Sequence, residues 1–296
     1  MALTFAGGLP LGGMGAGNRP REKLHPAPVV RNRSMDSTKA LIIAGAGAIG
    51  GAMNAVAGGG TMVTFPALIW AGLDPMVANM TSTVALFPGM PVGIWSFRKH
   101  LKELTAWLKV LAPISLLGGL AGAVLLLKAG AGIFNAIVPW LLLMATVLLM
   151  VNGVVQRWMK KNLAGKPGAD IHQAPPLKLW SILFLAAVAV YGGYFGAGIG
   201  IMALAAMGLL GLTDINEMNA LKVVLTMLMN FAAVVWFILG KGVVWDHALC
   251  LMAGSMIGYW FGSHLAQRIP PAYVRGVAVA IGLAISVQLF WKQVRG

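Results

Sequence analysis

Apolar residues run in long blocks along this chain, separated by short polar links. The blocks are Ala40–Ala57, Met76–Phe97, Trp107–Leu127, Ile133–Val155, Leu179–Phe195, Met218–Leu239, His247–Ala266 and Tyr273–Trp291. Each is near the ~20 residues whose helical rise matches the hydrocarbon core of a bilayer. Membrane strands would instead show alternating segments of ~10 residues. The pattern predicts an all-α integral membrane protein with about eight transmembrane helices.

Glycine interrupts this pattern twice in the same way. The first interrupted segment reads Gly50-GAMNAVAGGGTMVTFPALIWAGL-Asp74, the second Val190-YGGYFGAGIGIMALAAMGLLGLT-Asp214. Lipid cannot satisfy the backbone groups such breaks set free, so they survive inside protein or beside a watery cavity. A matched pair of them in two halves of a chain points to a transporter's binding site. The landmarks recur at an offset of 140: Gly58 with Gly198, Gly60 with Gly200, Asp74 with Asp214, Asn79 with Asn219, Ser115 with Ser255, Gly118 with Gly258 and Gly122 with Gly262. This predicts two four-helix repeats, residues 40–155 and 179–292, each with a Gly-broken first helix. A cytoplasmic linker, 156–178, joins them, and a basic tail, 1–39, precedes them. Four crossings per copy would make the copies parallel; a re-entrant pass counted as a crossing would invert them. The broken segments leave both options open, because 33 residues of straight helix would reach ~50 Å, well beyond a bilayer core.

The formal charge of +14 sits almost entirely outside the apolar blocks, where it sets orientation rather than binding nucleic acid. Arg98, Lys99, Lys102 and Lys109 lie between the second and third blocks, and Arg157, Lys160, Lys161, Lys166 and Lys178 between the fourth and fifth. With Ala40–Gly72 and Leu179–Leu212 each taken as one broken crossing, these links and both termini are expected in the cytoplasm; Arg268 and Arg275 would then lie outside. Translation could begin at Met1 or at Met35, which leads straight into the first block.

The stretch Asn54-AVAGGGTMVTFPALIWAGLDPMVANMTSTVALFPG resembles the TauE/SafE family of membrane exporters, the sulfite exporter family. Gly192-GYFGAGIG, Asn219-ALKVVLTMLMN and Gly240-KGVVWDHALCLMAGSMIGYWFGSHLAQRIPP agree, so the resemblance covers about residues 40–291. It implies an eight-helix transporter of small anions in a prokaryotic inner membrane. Sulfite, sulfoacetate or related sulfur-containing organic anions are the implied substrates.

The residues suggest how an anion would be held. Breaks at Gly58, Gly59 and Gly60 and at Gly196, Gly198 and Gly200 would free N–H groups and start half-helices, whose positive ends would form a cradle near the membrane middle. Asn54, Thr61 and Thr64 stand beside the first break. Lys222 sits about one turn inside the apolar helix that begins at Met218, where it either faces a cavity or snorkels to the headgroups, and Asn219, Lys222, Thr226 and Asn230 follow a spacing that makes one polar stripe. A charge there costs ~2.5–3.5 kcal/mol on insertion scales and normally faces a cavity or partner. Ser82 is its counterpart in the first half, within a polar cluster containing Asn79. Gly118, Gly119 and Gly122, and Gly258 with Gly262, read instead as close-approach points between helices.

The remaining residues narrow the function. No P-loop, deep carboxylate relay, Ser-His-Asp grouping or metal spacing appears, so no cofactor, metal or catalytic residue is expected. Cys250 is the only cysteine and is expected to be a small buried hydrophobe rather than a reactive thiol. Asp246 is expected to cap the helix beginning at His247. The predicted partners are a small anion and the bilayer, with a homo-oligomer left open. Export is the primary reading and cation-coupled uptake by the same fold the alternative.

Overall fold

A computed structural model describes residues 35–56, 59–96, 98–163, 171, 173, 175, 179–265 and 271–295. These residues form helices and no strand. The helices are α1 (Ser37–Val56), α2 (Thr61–Trp70), α3 (Pro75–Leu86), α4 (Met90–Ser96), α5 (Arg98–Glu103), α6 (Thr105–Leu163), α7 (Leu179–Tyr194), α8 (Ile199–Leu209), α9 (Ile215–Leu239), α10 (Trp245–Leu265) and α11 (Pro271–Arg295). A 3₁₀ turn, Phe87–Gly89, joins α3 to α4. Gly130, at φ 74°, divides α6 into a first arm, 105–129, and a second arm, 131–163. By length and apolarity, Thr105–Met159 and Ile215–Leu239 qualify as membrane spans; Leu179–Tyr194 and Val279–Trp291 are apolar but shorter.

Asp74 and Asp214 cap α3 and α9, accepting from Met76 N–H in one case and from Asn216 and Glu217 N–H in the other. Asp246 does not cap: α10 already begins at Trp245, which leaves Asp246 in the first turn, where its charge complements the helix dipole.

Bonds between ends fix the direction of each helix. Asn135, at the start of the second arm of α6, donates to Asp74 Oδ2 at 2.9 Å, and its carbonyl accepts from Gln293, near the end of α11. Leu127 meets Gly240, and Met35 meets Cys250. One end of the bundle therefore gathers the start of α1, the α2–α3 link, the Gly130 corner, the α9–α10 link and the end of α11. The opposite end gathers Leu104 and Trp107 of α6, Met159, the end of α8 and Met218 of α9 in one buried cluster. Ser181 Oγ, at the start of α7, donates to Leu209 O, at the end of α8.

Each broken segment is thus a hairpin that returns to the end it left. This corrects the expectation of one bent crossing apiece, and with it the topology built on that count. The start of α1 and the end of α11 lie at the end opposite the segments holding Arg98, Lys102, Arg157 and Lys160, so the two groups cannot share a side. The second arm of α6 and α11, matched at the offset of 140, run antiparallel, with Gly282 against Thr146 and Gln293 against Asn135.

Small residues let the halves interlock. A Cβ on Gly258 would fall 1.9 Å from Ala48 O, and one on Gly254 1.9 Å from Ala44 O, so α10 lies directly on α1. The matched pair repeats this: a Cβ on Gly122 would fall 2.0 Å from Val190 O, and one on Gly193 1.9 Å from Gly119 O, which seats α7 on the first arm of α6. Backbones approach this closely only where no side chain intervenes.

Candidate functional site

The two hairpin tips arrive from opposite ends at the middle of α6's second arm. Gly59 faces Leu149, and Gly198 faces Ala145 and Leu148. Aromatic rings pack against the second tip: Phe65 of α2 meets Phe195 edge-on at 5.6 Å, and Phe134 meets both Tyr194 and Phe195. Helices α2 and α8 both begin here and run apart, so their positive ends converge. Gly58 lies outside the described residues.

The first tip is closed by a side chain. Gly59 N–H and Gly60 N–H both donate to Asn54 Oδ1, at 3.0 and 3.1 Å. Asn54 Nδ2 in turn donates to Tyr259 Oη at 2.5 Å. Gly59 has φ 136°, a conformation natural to glycine, and this turns both N–H groups back toward Asn54. Thr61 is half-buried at the start of α2. Thr64 Oγ1 donates to Gly60 O and lies 2.6 Å from Ser82 Oγ, which ties α2 to α3 in a buried pair.

The second tip is braced differently. Gly196 and Gly198 both have φ near 75°. Tyr191 Oη donates to Ala197 O at 2.6 Å, and Asn79 Nδ2 of α3 donates to Tyr194 O at 3.0 Å. Asn79 Oδ1 is buried without a partner. Asn79 therefore gives one donor to the backbone of the other half and leaves an acceptor open.

Lys222 stands beside this tip: a Cβ on Gly200 would be 3.6 Å from Lys222 Cδ. Its ammonium donates to Asn219 Oδ1 at 2.8 Å, and among the described residues no carboxylate forms an ion pair with it. The rest of the stripe holds itself in place. Asn219 Nδ2 donates to Ile215 O, Thr226 Oγ1 to Lys222 O and Asn230 Nδ2 to Thr226 O. The stripe thus exists with the expected spacing, and Lys222 keeps two N–H donors beyond the one given to Asn219. Ser82 and Lys222, matched in sequence, each flank the first turn of a half-helix, α2 and α8 respectively.

The structure brings Asn54, Gly59, Gly60, Thr61 and Ser82 together at one tip and Gly196, Gly198, Gly200 and Lys222 at the other, with Asn79 linking them. Asn219, Thr226 and Asn230 extend from Lys222 along α9. Sequence reasoning missed Tyr259, Tyr191 and the carbonyl of Tyr194. A buried phenol in an apolar helix needs a hydrogen-bond partner, and that was the available signal for Tyr259 and Tyr191. His247 is buried at the start of α10 with Nδ1 unpartnered, away from both tips. Among the described residues no group of three His, Cys, Asp or Glu could hold a metal ion.

Residues 43–289 match the family described as Sulfite exporter TauE/SafE. The chain belongs to that family. Among its relatives is a probable membrane transporter protein of Haemophilus influenzae, 26% identical over 81% of this chain and 90% of the relative. Another is the probable membrane transporter protein YfcA of Escherichia coli K12, 24% identical over 82% of this chain and 86% of the relative. A third, the probable membrane transporter protein ORF9 of a Sinorhizobium species, is 24% identical over 81% of this chain and 88% of the relative. No solved structure matches the chain. The family and its relatives place this chain in a membrane.

Proposed function

We propose that this chain is a secondary transporter that exports a small anion across the cytoplasmic membrane of a prokaryote. Sulfite, sulfoacetate or a related sulfur-containing organic anion is the substrate class. The observation that carries this reading is the meeting of two half-helix starts at mid-bundle, with a lysine beside one of them that pairs with no carboxylate among the described residues. Two repeats in inverted orientation explain why matched segments run in opposite directions and why the tips meet. Reciprocal seating of α1 on α10 and of α7 on α6 supports the same symmetry.

In this reading Asn54 Oδ1 is a stand-in. It holds Gly59 and Gly60 N–H while the site is empty, with Nδ2 anchored on Tyr259, and an anion oxygen takes its place when Oδ1 swings away from them. Lys222 supplies the counter-charge from the other half, and Gly198, Gly200, Thr61 and Ser82 line the space between. Asn219 positions Lys222, and Thr226 and Asn230 continue the polar path. Export needs no coupling ion, because an inside-negative potential drives a monoanion outward by ~2.3 kcal/mol per 100 mV.

Efflux from proteoliposomes holding sulfite, sulfoacetate, sulfate or chloride, under an imposed potential, tests the class. Potential-driven loss of a sulfur oxyanion, with chloride retained, is expected. Flux that appears only with an imposed sodium or proton gradient would replace export by coupled uptake.

A further inference from the structure

We infer that the basic end of the bundle faces the cytoplasm, that both termini face away from it, and that Lys222 is reached from the cytoplasmic side. This rests on the membrane reading above but not on the identity of the substrate.

Two tryptophan belts mark the limits of the bilayer. Trp70, Trp245 and Trp291 are exposed at the end that gathers the start of α1 and the end of α11. Trp95, Trp158, Trp180 and Trp260 are exposed toward the opposite end. Aromatic belts form at both interfaces and do not tell inside from outside. Charge does. Beyond the second belt lie α5 and the start of α6, with Arg98, Lys99, Lys102 and Lys109, and the end of α6, with Arg157, Lys160 and Lys161. In sequence, Lys166 and Lys178 fall between α6 and α7, Arg268 falls between α10 and α11, and Arg275 is near the start of α11. Beyond the first belt, the links and C-terminus bring only Lys128, Lys241, Lys292 and Arg295. Basic residues in short links are retained in the cytoplasm. Arg268 and Arg275, which a single-crossing reading of the broken segments puts outside, fall on the same side as the other basic links once those segments are hairpins.

The tail is the one opposing block. Arg19, Arg21, Lys23, Arg31 and Arg33 precede α1 and would be carried outward with it; a chain begun at Met35 keeps only Lys39 there.

The orientation gives Lys222 a side. It lies seven residues into α9 from Ile215, about 10 Å below the basic end. Its polar stripe begins at Asn219, one turn nearer that end. An anion approaching from the cytoplasm would pass the basic links, then this stripe, before the tips.

Single cysteines in the full-length Cys250→Ala protein test this in a bacterial host. Thr38→Cys and Glu103→Cys are exposed positions at opposite ends. A membrane-impermeant maleimide should label Thr38→Cys in intact cells, and Glu103→Cys only in inverted membrane vesicles. Lys222→Cys should react in inverted vesicles and not in intact cells. The reverse pattern for the first two, or labelling of either from both sides, overturns the orientation. Lys222→Cys labelled only from outside, or from neither side, overturns the cytoplasmic approach. Labelling does not depend on transport, so failure of the anion-export reading would show separately, as absent flux with the labelling intact.

Discussion

Lys222 and Asn54 show how single side chains could divide the work of an anion site. Lys222 is placed by Asn219, faces Gly200 and keeps donors to spare. Replacing it with Met should slow anion flux by at least tenfold, about 1.4 kcal/mol of lost interaction, while Lys222→Arg should keep a measurable part. Equal rates for wild type and Lys222→Met would remove it from the site. Asn54→Ala leaves two buried N–H groups without an acceptor, which should cost about 1–3 kcal/mol and lower the melting temperature in detergent. Added substrate anion should raise that temperature more in Asn54→Ala than in the wild type, because the anion then displaces nothing. No difference in the ligand-induced shift would argue against the stand-in role. The stripe on α9 was legible because helical spacing alone specifies it. The Asn54–Tyr259 bond spans residues 205 apart in sequence and was not.

At the scale of elements, the sequence indicated well which segments are helical and poorly which way they run. Ala40–Ala57 corresponds to α1, Met76–Phe97 to α3 and α4, and Trp107–Leu127 and Ile133–Val155 to the two arms of α6. Hydropathy reports burial in lipid or protein but carries no direction, so a Gly-rich break reads equally as a bend or as a reversal. Contacts decide: a Cβ on Gly50 would meet Thr64 Cγ2 at 2.5 Å, which a continuing helix could not bring back. The glycines that interlock the halves make a sharp prediction. Gly258→Ala should destabilise the protein by about 1–3 kcal/mol, because its Cβ would meet backbone. Gly45→Ala, where a Cβ would meet nothing within 4 Å, should be neutral or stabilising by up to about 1 kcal/mol through helix propensity. Thermal unfolding of the pair in detergent reads both; similar losses would mean that helix seating does not govern stability.

Over the whole molecule, the inverted repeat we propose would make the architecture coherent. The two hairpins enter from opposite ends, bring the starts of α2 and α8 to the same stretch of α6, and place unlike residues, Ser82 and Lys222, beside them. In the proposed site the backbone would be symmetric and the charge asymmetric, which would give an anion one side on which to approach. The sequence contained the repeat landmarks and the belts of tryptophan. It could not assign them to sides, because orientation counts depend on the parity of crossings, and that parity was hidden in the two hairpins. The most direct test is the initial rate of sulfite or sulfoacetate efflux from proteoliposomes under an inside-negative potential, with wild type and Lys222→Met side by side. Fast, potential-dependent efflux by the wild type and a large loss in Lys222→Met is the expected result. Equal efflux from both proteins, or none from a folded wild type, would contradict it.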